Sequence, residues 1–129
     1  MTDIPGVILA GGRATRMGGG DKCLRVVAGV RLIDHVTARL APQVSAMALN
    51  ANGDPARFAG LGLPVLADDV EGFAGPLAGV LAGLDWAAAR GAAAIVTVAG
   101  DTPFFPRDLV ARLAAAAGPS GLALAASPD

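Results

Sequence analysis

Short apolar runs recur along this chain, each closed by glycine or a polar residue and followed by a stretch of helical periodicity. That alternation constrains the fold more than any other feature. Neighbouring parallel strands need a crossover connection, and an intervening helix supplies it, so the pattern predicts βαβ units and a largely parallel sheet. A strand is predicted over 4–9, followed by a loop to Lys22 and a helix in which Ile33, Val36 and Leu40 share one face. A second strand over 44–49 runs into the turn sequence Asn50-Ala51-Asn52-Gly53, then a short helix over 55–59 and a strand over 64–67. Pro76 suits the first turn of a helix reaching Arg90-Gly91, with Leu77, Val80, Leu81, Leu84 and Ala88 expected on its inner side. The strand over 94–98 ends in Ala99-Gly100-Asp101-Thr102-Pro103. A helix from Pro106 then turns Leu109, Val110, Leu113 and Ala117 inward and stops at Gly118-Pro119, and 121–126 reads as a fifth strand.

A chain of 129 residues is one domain's worth, and no linker or internal repeat divides it. Apolar residues make up 53% of it, yet there are only four Phe, one Trp and no Tyr. The core is therefore built from Ala, Val and Leu, which suits helices packed closely on a sheet. A formal net charge of −1 and so few aromatic residues argue against a nucleic-acid partner, which calls for a basic face or stacking platforms. Cys23 is the single cysteine, so an intrachain disulfide and a multi-cysteine metal site are both excluded. A reducing, cytoplasmic location is expected. The N-terminus has no basic segment before its short apolar run, and nowhere do about 18 apolar residues follow one another, so neither a signal peptide nor a membrane span is expected.

The first predicted strand breaks into Gly11-Gly12-Arg13-Ala14-Thr15-Arg16-Met17-Gly18-Gly19-Gly20-Asp21-Lys22. This is the composition of a phosphate cradle. Glycines let the backbone approach a ligand and turn successive N–H groups toward an anion, and Arg13, Arg16 and Lys22 add positive charge at the same place. It is not a Walker A loop, because Lys22 follows Asp21 and precedes Cys23. Nor does it carry glycines at the dinucleotide spacing after Leu9.

Ligands of open parallel sheets bind outside the carboxyl ends of the strands. The segments that follow the first four predicted strands carry the glycine loop, Asn50, Asp68-Asp69 and Asp101. Singly, Asn and Asp are ordinary turn residues. Together they place polar groups from four separated segments at one edge. Asp101 follows its strand directly and can hold Mg²⁺, a hard cation that takes one or two carboxylates beside phosphate oxygens. An Asx turn or helix cap is the other use of Asp-Thr-Pro. His35 has no partner of metal or catalytic type nearby in sequence and is read as a surface or hydrogen-bonded histidine. Cys23 is read as a packed thiol, and Trp86 as a core or partly exposed helix residue.

Leu9-Ala10-Gly11-Gly12, Arg16-Met17-Gly18-Gly19 and Asp21-Lys22 resemble, at the same spacing, the signature of molybdenum cofactor guanylyltransferases. Asn50-Ala51-Asn52, Asp68, Gly75-Pro76-Leu77-Ala78-Gly79 and Asp101-Thr102-Pro103 resemble its later motifs. The resemblance implies an α/β, Rossmann-like three-layer nucleotidyltransferase fold. It also implies transfer of GMP from GTP to molybdopterin-bound molybdenum cofactor, with release of pyrophosphate. By it, Leu9, Ala10 and Gly11 contact the nucleotide through their backbone. Gly12, Arg13, Gly18 and Gly19 complete the GTP loop, and Lys22 holds phosphates with Arg16 beside it as a catalytic cation. Asn50 and Asp68 contact the guanosine, and Asp101 binds both GTP and Mg²⁺. A carboxylate suits guanine, whose N1–H and N2–H₂ edge offers a donor pair that adenine lacks. Partners among molybdenum cofactor biosynthesis proteins or acceptor enzymes are implied as well, with a monomer expected at full length and no membrane or nucleic-acid partner.

The resembled family continues past the position of Asp129, so the 129-residue domain is expected to lack a C-terminal segment that completes the sheet and the pterin site. Related cytidylyltransferases and sugar-1-phosphate nucleotidyltransferases share the loop logic, although the cytidylyl relatives carry Leu-Ala-Ala-Gly where this chain has Leu9-Ala10-Gly11-Gly12. A non-catalytic GTP-binding fragment is the alternative outside the enzymes.

Overall fold

A computed structural model of the chain describes residues 4–10, 24–51, 55–67, 76–100 and 104–117. Strand β1 (Gly6–Leu9) is followed by a hairpin of β2 (Val26–Val27) and β3 (Val30–Arg31), then helix α1 (Leu32–Leu40) and a 3₁₀ turn at Ala41–Gln43. Strand β4 (Met47–Asn50), a 3₁₀ segment at Pro55–Leu61 and strand β5 (Val65–Leu66) come next. Helix α2 (Pro76–Ala89), strand β6 (Val96–Ala99) and helix α3 (Leu109–Ala117) complete the described elements. The main sheet has the order β5-β4-β1-β6, and every pairing in it is parallel. Its register sets Gly6 beside Met47 and Val96, and Leu9 beside Asn50 and Ala99.

Alternation along the strands divides the molecule into layers. Ile8, Leu49, Val96 and Val98 join Ile33, Val36 and Leu40 of α1 and Leu109 and Val110 of α3 in one buried cluster that also takes in Phe58. Val7, Leu9 and Asn50 point to the opposite face, where α2 lies, because a Cβ at Gly83 would meet Val7 and one at Gly79 would meet Asn50 and Leu9. The sheet is thus sandwiched between α1 and α3 on one side and α2 on the other. This is the predicted α/β, Rossmann-like three-layer arrangement.

The predicted strand over 4–9 shortens to Gly6–Leu9 for a chemical reason. Ile4 and Pro5 still lend their carbonyls to Ser45 N–H (3.1 Å) and Val96 N–H (3.0 Å), but proline has no N–H to continue the ladder. Gly6 itself sits tightly beneath α1, where a Cβ would come within 2.9 Å of Leu40 Cδ2. Ile33, Val36 and Leu40 are fully buried, as their spacing predicts. Helix α2 ends where Arg90-Gly91 suggested. Gly91 takes φ +80°, its N–H bonds Ala88 O and that of Ala92 bonds Ala87 O, both at 3.0 Å, the paired bonds of a Schellman cap.

Two expectations are corrected. The inner side of α2 is not the leucine side: Leu84 is 41% exposed and Ala88 is exposed, while Gly79, Ala82, Gly83 and Ala87 are buried. The helix is apolar nearly all round, so the leucines do not mark a face, and close approach to the sheet selects the smallest residues instead. The hairpin at Val26–Arg31 was not expected at all. Its Ala28-Gly29 turn holds both residues at positive φ (56° and 81°), as a two-residue type I′ connection requires, although Ala is rarely found there. The expected fifth strand over 121–126 and the stop at Gly118-Pro119 lie outside the described residues. Among the described residues, no helix is long and apolar enough to cross a membrane.

Candidate functional site

The carboxyl ends of the four strands of the main sheet form one level edge. Leu9 pairs with Asn50 and Ala99, and Asn50 pairs in turn with Leu66. The ladder continues one residue past these ends: Ala10 N–H donates to Asn50 O (2.8 Å), Ala51 N–H to Leu66 O (3.0 Å), and Gly100 N–H to Leu9 O (3.1 Å). From β1 the chain steps outward through β4 to β5, then crosses back to pair β6 on the other side of β1. That reversal of strand order at β1 is where open α/β sheets place their ligands.

Among the described residues of this edge, Asn50 is a polar side chain held firmly in place. It is only 4% exposed, and its Nδ2 donates to Leu66 O at 3.0 Å. Burying an amide without partners costs free energy, and here bonding to β5 offsets that cost. Its other side is closed by α2. A Cβ at Gly79 would collide with Asn50 Oδ1, lie 2.9 Å from Asn50 Cγ and come within 3.0 Å of Leu9 Cδ2. Glycine at 79 therefore lets the first turns of α2 approach β1 and β4 at the carboxyl edge of the sheet. Gly83, one turn on, does the same against Val7 Cγ2, at 2.9 Å.

Of the sequence-predicted site residues, Leu9, Ala10 and Asn50 are brought together at this edge, with Leu9 O and Ala10 N–H engaged in the sheet. Gly11, Gly12, Arg13, Arg16, Gly18, Gly19, Lys22, Asp68 and Asp101 lie outside the described residues. Their segments follow in the chain directly from β1, β5 and β6. His35 is hydrogen-bonded, its Nε2 lying 2.9 Å from Val27 O, which ties the hairpin to α1. Trp86 is half-buried with the Arg90 guanidinium 5.3 Å from its ring centroid, and Cys23 lies outside the described residues. No group of three or more His, Cys, Asp or Glu is assembled among the described residues.

Sequence reading did not single out Arg39 and Gln43. Arg39, in the last turn of α1, reaches the segment before α3, its Nη1 donating to Phe105 O at 2.7 Å, and Gln43, in the 3₁₀ turn that follows, reaches α3 itself, its Oε1 accepting from Val110 N–H at 2.9 Å. These bonds span 66 and 67 residues, so no local pattern announces them.

A family model described as MobA-like NTP transferase domain matches residues 6–129. A protein of a Bradyrhizobium species named molybdenum cofactor guanylyltransferase is 64% identical, over 98% of this chain and 61% of its own length. One of the same name from Mesorhizobium japonicum is 58% identical, over 97% of this chain and 62% of its own. The chain thus spans about three-fifths of these relatives' length. Among solved structures, a nucleotidyl transferase from Methanothermobacter superposes with a TM-score of 0.64 at 20% identity, over 89% of this chain and 58% of that one. Molybdopterin-guanine dinucleotide biosynthesis protein A from Archaeoglobus fulgidus gives 0.63 at 23% identity, over 89% and 57%. At such identities the two structures bear on the fold, which they share.

Proposed function

Because the chain belongs to the MobA-like NTP transferase family, we propose that it carries the nucleotide site of a molybdenum cofactor guanylyltransferase. The enzyme transfers GMP from GTP to the terminal phosphate of molybdopterin-bound molybdenum cofactor. The observation that carries this reading is the level edge at Leu9, Asn50 and Ala99, from which the glycine loop and the Asp101 segment both continue. The names of these two relatives supply the acceptor and the base.

On this reading the glycine loop from Gly11 to Lys22 receives the triphosphate. Its backbone N–H groups and the Lys22 ammonium meet phosphate oxygens, with Arg16 beside them, and the charge that develops at the α-phosphorus is stabilised in place. Asp68 accepts from the guanine edge, and Asn50 supports the guanosine side from β4. The acceptor's phosphate oxygen attacks the α-phosphorus in line, a new P–O bond forms, and the bond to the leaving pyrophosphate breaks. That oxygen is already ionised at neutral pH, so no protein nucleophile or general base is called for. Asp101, two residues beyond β6 in the sequence, carries a hard oxygen donor of the kind Mg²⁺ takes beside phosphate oxygens and would be the residue that holds it. When bound, the ion supplies positive charge to the pyrophosphate oxygens. The expected setting is the cytoplasm, with molybdenum cofactor biosynthesis or acceptor enzymes as partners and a monomer at full length.

The test is pyrophosphate release from GTP in the presence of molybdenum cofactor, measured on the full-length protein and on Asp101→Asn. The amide is nearly isosteric and lacks the charge. Abolished release with an unchanged circular dichroism spectrum is the expected result, and near wild-type release removes Asp101 from the site.

A further inference from the structure

The hairpin that leads into α1 is apolar on both of its faces. Val27 stands opposite Val30 and Val26 opposite Arg31, so Val27 and Val30 share one face and Val26 shares the other with Arg31. Val26, Val27 and Val30 are 63%, 45% and 41% exposed, three of the five large apolar side chains that reach the surface among the described residues. The one charged residue of the two strands is engaged with α1, because Arg31 Nε and Nη2 donate to the Asp34 carboxylate at 2.8 and 3.3 Å. An antiparallel pair beside water commonly turns a polar face to it. This one has no such face beyond that ion-paired guanidinium.

Such a hairpin calls for more packing than it has. Its sheet consists of two strands of two residues each, a size that is marginal without a further layer against it. Its turn holds Ala28 at φ 56°, a left-handed conformation that costs free energy in a residue with a Cβ. The bonds that secure it come from α1: Leu32 N–H donates to Arg25 O at 2.8 Å, and His35 Nε2 lies 2.9 Å from Val27 O. Because Arg25 and Leu32 form a hydrogen-bonded pair, the main-chain groups of the next pair, Val26 and Arg31, point away from the partner strand. The Val26 N–H therefore faces outward.

The two relatives described above carry about two-fifths of their length outside the region they share with this chain. Helix α3, which ends the described residues at Ala117, lies on the same face of the sheet as α1. We infer that the further part of the full-length protein packs over the hairpin at 26–31, with Val26, Val27 and Val30 as the apolar anchor of that contact. An apolar knuckle covered by its own chain accords with the monomer expected at full length, since exposed patches of this kind otherwise recruit another molecule.

The test uses the full-length protein in two measurements. Hydrogen exchange on the unsubstituted protein reads the cover: the Val26 N–H, unbonded within the hairpin, is expected to exchange at least about tenfold more slowly than in an unstructured chain. Exchange at the unstructured rate overturns the inference and leaves the hairpin open to a partner protein. Photo-crosslinking then identifies what lies there, with p-benzoylphenylalanine in place of Val26 and, in a second variant, of Val30. Irradiation of either is expected to join it, within one chain, to a peptide from outside residues 1–129. A link between two chains, which doubles the mass, assigns the surface to a second copy and overturns the inference. Links confined to residues 1–129, or none from either position, overturn it as well.

Discussion

Replacing Gly79 by alanine tests how tightly α2 is set on the carboxyl edge of the sheet. Away from any neighbour, Gly→Ala within a helix stabilises by about 0.8–1 kcal/mol through propensity alone. At 79 the new methyl has nowhere to go: it collides with Asn50 Oδ1 and lies 3.0 Å from Leu9 Cδ2. Overpacking of this kind costs about 1–3 kcal/mol, and displacing the Asn50 amide from Leu66 O forfeits about another 0.5–1.5 kcal/mol. The net expectation is destabilisation by about 1–3 kcal/mol, with a loss of nucleotide binding because Asn50 sits at the strand edge. Gly83→Ala meets only apolar atoms, Val7 Cγ2 at 2.9 Å and Ile95 Cδ1 at 3.2 Å, which shift more cheaply, so its cost is smaller. Gly60→Ala has no atom within 4 Å and serves as the neutral control. Urea unfolding of the three variants, with GTP titration on each, gives the order. Gly79→Ala as stable as Gly60→Ala, with unaltered binding, refutes the close approach of α2 to Asn50.

Two further substitutions on α2 separate its faces: Ala87→Leu, at a buried position, should destabilise by about 1–3 kcal/mol, whereas Leu84→Ser, on the exposed side, should stay within about 0.5 kcal/mol. Chemical denaturation decides, and the reverse order would restore the leucine side as the inner one. Lys22→Ala should weaken GTP binding far more than guanosine binding, because its proposed partner is phosphate. Calorimetry with both ligands checks this, and equal losses would give Lys22 a role in loop structure instead.

What the sequence makes legible here follows from local chemistry. Ile33, Val36 and Leu40 mark the inner face of α1 because Asp34, His35, Thr37 and Arg39 occupy most of its other positions, and all three are fully buried. Leu9 closes its strand where the apolar run ends, whereas Asn50, read as the first residue of a turn, is the last residue of β4 and pairs with Leu9. Helix α2 offers no such contrast, so its leucines mislead and the glycine pair at 79 and 83 carries the true signal, that of close packing. The hairpin escapes notice because its strands are two residues each and Ala28-Gly29 is a weak turn sequence. Arg39 and Gln43 escape for a different reason. Their bonds to Phe105, Pro106 and Val110 join parts of the chain that meet only once α1 and α3 pack on the same face of the sheet.

The most direct test of the central claim, a guanylyl-specific nucleotide site at the carboxyl edge of β1, β4 and β6, is titration of the full-length protein with GTP, ATP and CTP in the presence of Mg²⁺. The proposed pairing of Asp68 with the guanine donor edge, together with the proposed glycine-loop phosphate site, predicts that GTP binds more tightly than either competitor. CTP binding as tightly as GTP, or more so, would contradict the account and turn the chain into a cytidylyl enzyme of the same fold.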